Sequence, residues 1–351
     1  MRDDHGGELG YPVVVAAGAI ESVGAIAVRA GATRAVVLCD ANVEQHARRV
    51  AASLPAGTPM RSFALGEERK NLATLAEVYE ALAALEADRT TLVVGVGGGV
   101  AGDLFGFAAA TYMRGVPFLN VATSLVAMVD AAVGGKTAVD LPAGKNLAGA
   151  FADPIAVVAD VETLATLPEA QMREGLGEMI KHAMLDGEAA FAELERWAAE
   201  PFERWPWARL VGANVAVKAA VVAGDRTERG DRERLNLGHT FAHAFERAAE
   251  YRISHGNAVA VGLRAAGLAA RQWGPWREGD QRRLVSLLER LGLPTSLPGL
   301  GVDEILSAMR MDKKRRAGRL RFVLPRALGD VVCGVELDDA VVREAVERCT
   351  R

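Results

Sequence analysis

From residue 11 to residue 168, short β-branched and apolar runs alternate with longer stretches in which apolar residues recur every three or four positions. The runs at 13–15, 35–39, 92–96, 118–121 and 155–158 hold too few polar positions for half-exposed strands. They read as strands buried on both faces of a parallel sheet. Between them, 72–87 and 101–113 carry helical spacing, the alternation expected of a wound α/β layer. Beyond 168 the strand signal fades. Segments 169–185, 189–199, 207–224, 235–251, 258–273 and 281–291 all show helical periodicity, with one short strand expected at 320–324. The pattern predicts an α/β N-terminal domain with a parallel wound sheet over residues 1–168 and an all-α C-terminal domain over 169–351.

Composition narrows the class of partner. A chain of 351 residues, 50% apolar and 25% charged, has material for two ordinary soluble domains. Its net charge of −4 argues against a nucleic-acid surface. Three widely spaced cysteines, Cys39, Cys333 and Cys349, suggest neither a disulfide framework nor a cysteine metal site, and fit a reducing cytoplasm. The first ten residues lack an apolar targeting core, and no uninterrupted apolar run is long enough to span a bilayer. The expectation is a soluble cytoplasmic protein with no membrane partner.

Lysine usage changes this picture more than net charge does. Only seven of the 41 basic residues are lysine: Lys70, Lys136, Lys145, Lys181, Lys218, Lys313 and Lys314. Where arginine serves nearly every solvated charge, the remaining lysines mark positions that call for a compact, tunable ammonium.

Two glycine motifs follow strand-like segments. Gly97 to Gly102 spells G-x-G-x-x-G between TLVVGV and a helical pattern, which would turn backbone N–H groups toward a pyrophosphate, although such a run also suits a plain tight turn. The acid expected on a ribose is Asp40, which ends an earlier run. Val133-Gly134-Gly135-Lys136-Thr137 resembles the end of a phosphate-binding P-loop, but its first glycine would fall on Asp130. Asp130, Lys136 and Lys145-Asn146 instead suit an anionic, polyhydroxylated small molecule.

The helical half carries a metal candidate. His239 and His243 stand four apart, on one helix face, and His255 follows in Ser254-His255-Gly256-Asn257. HTFAH lacks the glutamate of HExxH, and Glu178 is the plausible carboxylate partner from another helix. Two histidines and one glutamate form the ligand set of a catalytic metal with an open position. His46 and His182 read as satisfied or surface histidines.

The segments GEERK, GGGVAGDLFGFAAATYMRG, VDAAVGGKTAVD, GKNLAGAF, GLGEMIKH, LNLGHTFAHAFE, SHGNAVAVG and MDKKRRAG resemble, in order and spacing, the motifs of the 3-dehydroquinate synthase family of sugar-phosphate cyclases. The resemblance covers nearly the whole chain. It implies a dehydroquinate synthase-like fold and a homodimer. It implies conversion of 3-deoxy-D-arabino-heptulosonate 7-phosphate to 3-dehydroquinate and phosphate, by transient oxidation, phosphate elimination, re-reduction and aldol closure. It further implies NAD contacts from Asp40, Asn42, Glu67, Lys70, Gly98, Gly99, Asp103, Thr123, Ser124, Lys145 and Thr166, and a Zn2+ or Co2+ ion on Glu178, His239 and His255. Catalytic roles fall to Asp130, Lys136, Lys181, Asn236 and His243. The sugar-phosphate substrate would be held by Asn146, Lys218, Arg232 and Lys313, with Arg114 reaching across the dimer.

Three positions depart from the family pattern: Ala122-Thr123-Ser124 for Pro-Thr-Thr, Ala242 for glycine, and Asn257 for glutamate beside a candidate ligand. Sister cyclases making deoxy-inosose, valiolone or aminodehydroquinate share the expected parts. The deoxy-inosose branch usually replaces the GGKT segment kept here, and Arg232 with Lys218 suits a substrate carboxylate. A metal-dependent polyol dehydrogenase would not need so many anion-directed lysines, and a non-catalytic NAD-binding relative would have lost metal ligands or lysines.

Overall fold

The computed structural model describes residues 9–228, 230–311 and 320–351, and the backbone of 312–315. By packing, the chain divides into two compact units of two segments each: residues through Met172 with Pro206–Ala223, and Arg173–Trp205 with Gly224–Arg351. Packing thus groups the helix at 207–224 with the earlier residues, whereas its periodicity alone groups it with the later helices.

Among the described residues the first unit holds eight strands: β1 (Val13–Ala16), β2 (Ala35–Asp40), β3 (Met60–Phe63), β4 (Leu92–Gly97), β5 (Phe118–Ala122), β6 (Lys136–Leu141), β7 (Gly144–Phe151) and β8 (Ala156–Asp160). Six form a sheet in the order β1-β8-β5-β4-β2-β3, with every neighbouring pair parallel. Helices α1 (Val23–Arg29), α2 (Glu44–Ser53), α3 (Leu72–Ala84) and α4 (Gly99–Thr111) supply the crossovers from β1 through β5, and the segment holding β6 and β7 connects β5 to β8. Side chains alternate along β2: Val37 and Cys39 enter one core layer with Ile26 of α1 and Val50 of α2, while Val36 and Leu38 enter the other with Val78 of α3 and Phe105 of α4. This two-sided burial is why β1, β2, β4, β5 and β8 read as continuous apolar runs. β3 is a half-buried edge strand of sequence MRSF and carries no such run. β6 and β7 pair antiparallel as a separate ribbon, in a segment where the sequence pattern predicts no strand. Their glycines and polar residues hide the strand period.

The second unit contains α5 (Glu169–Asp186) from Arg173 on, then α6 (Glu188–Trp197). The helix α7 (Trp207–Gly224) returns to the first unit up to Ala223. Among the described residues it alone is long and apolar enough to cross a membrane by length and composition. Its buried face nonetheless includes Asn214 and Lys218. The second unit resumes with α8 (His239–Ala248), α9 (His255–Trp273), α10 (Glu278–Arg290), α11 (Val302–Arg315), an antiparallel hairpin of β9 (Phe322–Ala327) and β10 (Asp330–Val335), and α12 (Asp339–Thr350). The single helix expected over 235–251 is broken. Residues Asp231–Asn236 form a 3-10 turn, and Gly238 takes φ 78° before α8 begins, a left-handed conformation no helix interior accommodates.

Candidate active site

In the first unit, β2 and β4 are neighbours whose following helices, α2 and α4, join opposite core layers. Such a switch point opens a crevice at the carboxyl ends of the strands. Asp40 ends β2 there, and Gly97-Gly98-Gly99 turns β4 into α4. A Cβ on Gly97 would lie 2.4 Å from the Cβ of Ala101 and 3.4 Å from that of Asp40, so a side chain cannot be placed at this turn. The N-terminus of α4 has no side-chain cap, which leaves its first N–H groups to an anion. Asp40 accepts from the Asn42 N–H at 3.0 Å and from its Nδ2 at 3.1 Å. Burial nonetheless raises the Asp40 carboxyl above its ordinary range.

The ends of β4 and β5 lie close together. The Thr123 N–H donates to the Gly97 carbonyl at 2.9 Å, and the Ser124 Oγ lies 3.1 Å from where a Cβ on Gly98 would be. Thr166 donates to the Thr163 carbonyl at 2.9 Å and lies 2.9 Å from Nε2 of His46, which is buried rather than on the surface and whose Nδ1 meets no hydrogen-bond partner.

Four of the expected cofactor residues form ion pairs alongside. Lys70 contacts Asp103 and donates to the Asn146 Oδ1 at 2.7 Å, while Lys145 pairs with Glu67 at 2.9 Å. Burial raises the Asp103 carboxyl despite the Lys70 ammonium beside it. Gly134 and Gly135, at φ 104° and 66°, lead into β6 rather than a helix, so the P-loop likeness is local. Lys136 opens β6 opposite Phe151, whereas Lys145 and Asn146 lie near the ribbon turn. Asp130 occupies a π-helical turn, Ala127–Ala131, and is joined to Lys218 through both its carbonyl and its carboxylate. Arg114 is exposed in the turn Tyr112–Arg114, at φ 67°.

The second unit builds the metal candidate from three helices. Glu178 on α5, His239 opening α8 and His255 opening α9 place one ligand atom each within 4.8 Å of the others. The Glu178 Oε1 lies 3.5 Å from the Nε2 of His239 and 3.3 Å from that of His255. Ligand atoms about 2.1 Å from a tetrahedral ion stand about 3.4 Å apart, so the spacing suits zinc or cobalt. The other ring nitrogens are held: His239 Nδ1 is 3.2 Å from the Leu237 carbonyl, and His255 Nδ1 is 3.4 Å from the Glu246 Oε2. That arrangement fixes the tautomer that offers Nε2 to a cation. Both Glu178 oxygens are buried without a well-aligned hydrogen bond, as expected of a carboxylate shaped for an ion.

Electrostatics agree. Burial opposes the Glu178 anion, but Lys181, in contact with it, and His239 hold its carboxyl well below the ordinary range. Burial likewise opposes a charged His255, yet the Glu178 and Glu246 carboxylates facing its two ring nitrogens lift it to about 10. The carboxylates that draw a proton to this ring draw a cation equally well.

The remaining expected residues of this unit take separate places. His243 is exposed, its ring 5.5 Å from that of His239. Asn236 donates to the Glu228 Oε1 at 2.9 Å, and the buried Arg232 donates to the Arg226 carbonyl at 2.7 Å. Lys313, like Lys314, has a side chain outside the described residues. Sequence reasoning passed over Glu246. Its signal was available: it lies seven residues after His239 on the same helix, and is therefore on the same face.

Sequence profiles of the N-terminal and C-terminal domains of 3-dehydroquinate synthase match residues 61–174 and 175–315. A 3-dehydroquinate synthase from Symbiobacterium thermophilum is 41% identical across 98% of this chain and 99% of its own. The 2-epi-5-epi-valiolone synthase of Streptomyces hygroscopicus, solved with NAD+ and Zn2+ bound, superposes with TM-score 0.85 at 28% identity over 96% of both chains. A 2-deoxy-scyllo-inosose synthase, complexed with carbaglucose-6-phosphate, NAD+ and Co2+, gives 0.83 at 26% identity, again over 96% of both. Fold and sequence coincide over both halves, and the chain belongs to the 3-dehydroquinate synthase family.

Proposed function

We propose that this protein is a 3-dehydroquinate synthase: a carbon–oxygen lyase that takes 3-deoxy-D-arabino-heptulosonate 7-phosphate to 3-dehydroquinate and phosphate, acting in the cytoplasm as a homodimer. The observation that carries the proposal is the convergence of Glu178, His239 and His255 at metal-ligand spacing. When bound, NAD+ supplies a reversible hydride acceptor and the Zn2+ or Co2+ ion a Lewis acid for vicinal hydroxyls.

The protein's own groups bind and orient. We assign cofactor binding to residues 1–168 and metal binding to 169–351. Asp40 and Asn42 hold ribose hydroxyls, and the uncapped start of α4 at Gly98 and Gly99 takes the pyrophosphate. Thr123, Ser124 and Thr166 line the same strand ends, and the pairs Lys70–Asp103 and Lys145–Glu67 stiffen the wall around them. From the first unit, Lys136, Asn146, Lys218 and Arg114 serve the substrate's anionic and hydroxyl groups, with Asp130 orienting the Lys218 ammonium. From the second, Lys181, Arg232, Asn236 and Lys313 do the same. The exposed imidazole of His243 binds the phosphate or moves a proton at a ring nitrogen. A desolvated substrate carrying both a carboxylate and a phosphate needs such a set of cations.

The two solved structures named above are sister cyclases, which gives a second reading some weight. Identity favours the first, at 41% to the 3-dehydroquinate synthase against 28% and 26% to the others. Purified protein with NAD+ and Zn2+ is to be offered the heptulosonate phosphate, sedoheptulose 7-phosphate and glucose 6-phosphate in parallel. Phosphate release and carbocycle formation are expected from the first alone. Turnover confined to either of the others would overturn the proposal.

A further inference from the structure

Each metal-ligand candidate is bonded in sequence to a glycine: Gly177-Glu178, Gly238-His239 and His255-Gly256. In the second unit these glycines lie where the ligand-bearing helices touch backbone to backbone. A Cβ on Gly177 of α5 would stand 2.6 Å from the carbonyl oxygen of Gly256, and one on Gly256 would stand 2.3 Å from both the Cα and the carbonyl oxygen of Glu174. Nearly two helical turns along α9 the same thing recurs. A Cβ on Gly262 would lie 2.4 Å from the Gly238 carbonyl oxygen, and one on Gly238 would lie 2.8 Å from the Leu263 nitrogen. α9 is therefore seated against α5 at its first turn and against the start of α8 two turns later, with no side chain between.

We infer that Gly177, Gly256 and the Gly238–Gly262 contact are positioning residues for the metal, setting the distances among Glu178, His239 and His255 by fixing how closely their helices approach. The inference rests on the metal reading proposed above.

Magnitudes decide the point. Ordinary van der Waals contact begins at 3.4 Å, so a methyl at Gly177 or Gly256 needs the helices to part by about 1 Å. Metal–ligand distances tolerate about 0.2 Å. The colliding atoms are backbone, which cannot rotate away as a flexible side chain does. Glu178 cannot follow by changing rotamer either, since its side chain is fully buried and its second oxygen contacts Lys181. Glycine is also among the poorest residues for a helix interior, so helix propensity does not account for Gly177 and Gly262.

The test separates positioning from packing by using a tight glycine remote from the ligands. Gly267 lies on the same helix α9, and a Cβ there would meet the Gln281 Oε1 at 2.0 Å and the Trp276 Nε1 at 3.0 Å. Metal-stripped wild type, Gly177→Ala, Gly256→Ala, Gly267→Ala and Glu178→Gln are titrated with Zn2+ and Co2+ against a chromophoric chelator, with circular dichroism melts and the visible spectrum of bound Co2+ recorded. We expect Gly177→Ala and Gly256→Ala to bind at least tenfold more weakly with an altered Co2+ spectrum, and Gly267→Ala to bind within twofold of wild type whatever its melt. Gly262→Ala replaces either variant that does not fold. If Glu178→Gln loses the metal while folded glycine variants keep wild-type affinity and spectrum, the ligand reading stands and this inference alone is overturned. If Glu178→Gln binds as wild type does, the ligand reading fails and takes the inference with it.

Discussion

The Lys218 ammonium holds Asp130 at two points, 2.6 Å from its backbone carbonyl and 2.7 Å from its carboxylate Oδ1. α7 delivers that lysine with its stem buried, and Asp130 sits in a π-helical turn, a rare geometry in which one residue is extruded from the α pattern. Lys218→Met keeps the stem and removes the donor. It should cost about 1–3 kcal/mol by leaving a largely enclosed acceptor without its charged partner, read as a lower urea midpoint. Phosphate release should fall at least a hundredfold, about 2.7 kcal/mol. A midpoint and rate within error of wild type would show that water substitutes for the ammonium.

Scarcity of lysine carries its own prediction at Lys136, which opens β6 with its side chain exposed. A guanidinium keeps the charge but not the compact ammonium. Lys136→Arg should lower turnover by tenfold or more, with melting unchanged. Arg89→Lys, at an exposed site, should change neither. Equal small effects in the two variants would remove any functional meaning from the lysine distribution.

Strands buried on both faces were legible in the sequence because every position is apolar, as in β4 from Leu92 on. β3 and the β6–β7 ribbon were not, because half-exposed strands with lysine, asparagine and glycine lose the period that marks them. The candidate ligands were legible from residue type and from the family resemblance, whereas spacing on one helix paired only His239 with His243. Their mutual distances were not, since these depend on how closely α5, α8 and α9 approach one another. Gly238 shows the limit at one residue: the apolar pattern runs on through it, and only its left-handed backbone splits the expected helix in two.

Asp40 and Gly97 approach each other at the switch point of the sheet, which makes the carboxylate the natural test of cofactor choice. Asp40→Ala should weaken NAD+ at least tenfold and narrow its preference over NADP+, because the ribose 2′-hydroxyl loses its acceptor while the 2′-phosphate loses a repelling anion. Acid should weaken NAD+ in the wild type as well. Burial raises the Asp40 carboxyl above 3.8, so the acceptor is protonated sooner as pH falls than an ordinary aspartate would be. The linked stability has the opposite sign: an acid with a raised folded pKa binds its proton more tightly when folded, so stability declines as pH rises from the unfolded value through the folded one. Isothermal titration from pH 7 downward checks the first claim, and a pH-independent NAD+ affinity that matches Asp40→Ala would sink it.

Glu246 stands behind the metal candidate, with its Oε2 3.4 Å from the Nδ1 of His255, while the Nε2 of that ring faces Glu178. A carboxylate in that place orients the ring and makes it a stronger donor, and losing such a partner typically costs 10- to 100-fold in metal affinity, about 1.4–2.7 kcal/mol. Glu246→Gln retains an acceptor oxygen and the side-chain volume but loses the charge, so the packing around α8 is preserved. The effect on metal binding should therefore be read as the excess of the difference with metal over the difference without it. At Zn2+ a hundredfold above the wild-type dissociation constant, binding stabilises the wild type by about 2.7 kcal/mol, and the variant by about 0.4–1.4 kcal/mol for a 100- to 10-fold loss. Melts recorded with excess chelator should differ only by the lost ion pair between Glu246 and His255, and melts with Zn2+ should diverge by a few degrees more. Chelation should abolish phosphate release in both proteins, and restoring wild-type activity should need less Zn2+ or Co2+ than restoring the variant's. If the melts differ equally with and without metal, Glu246 stabilises the helix pair and has no special hold on His255.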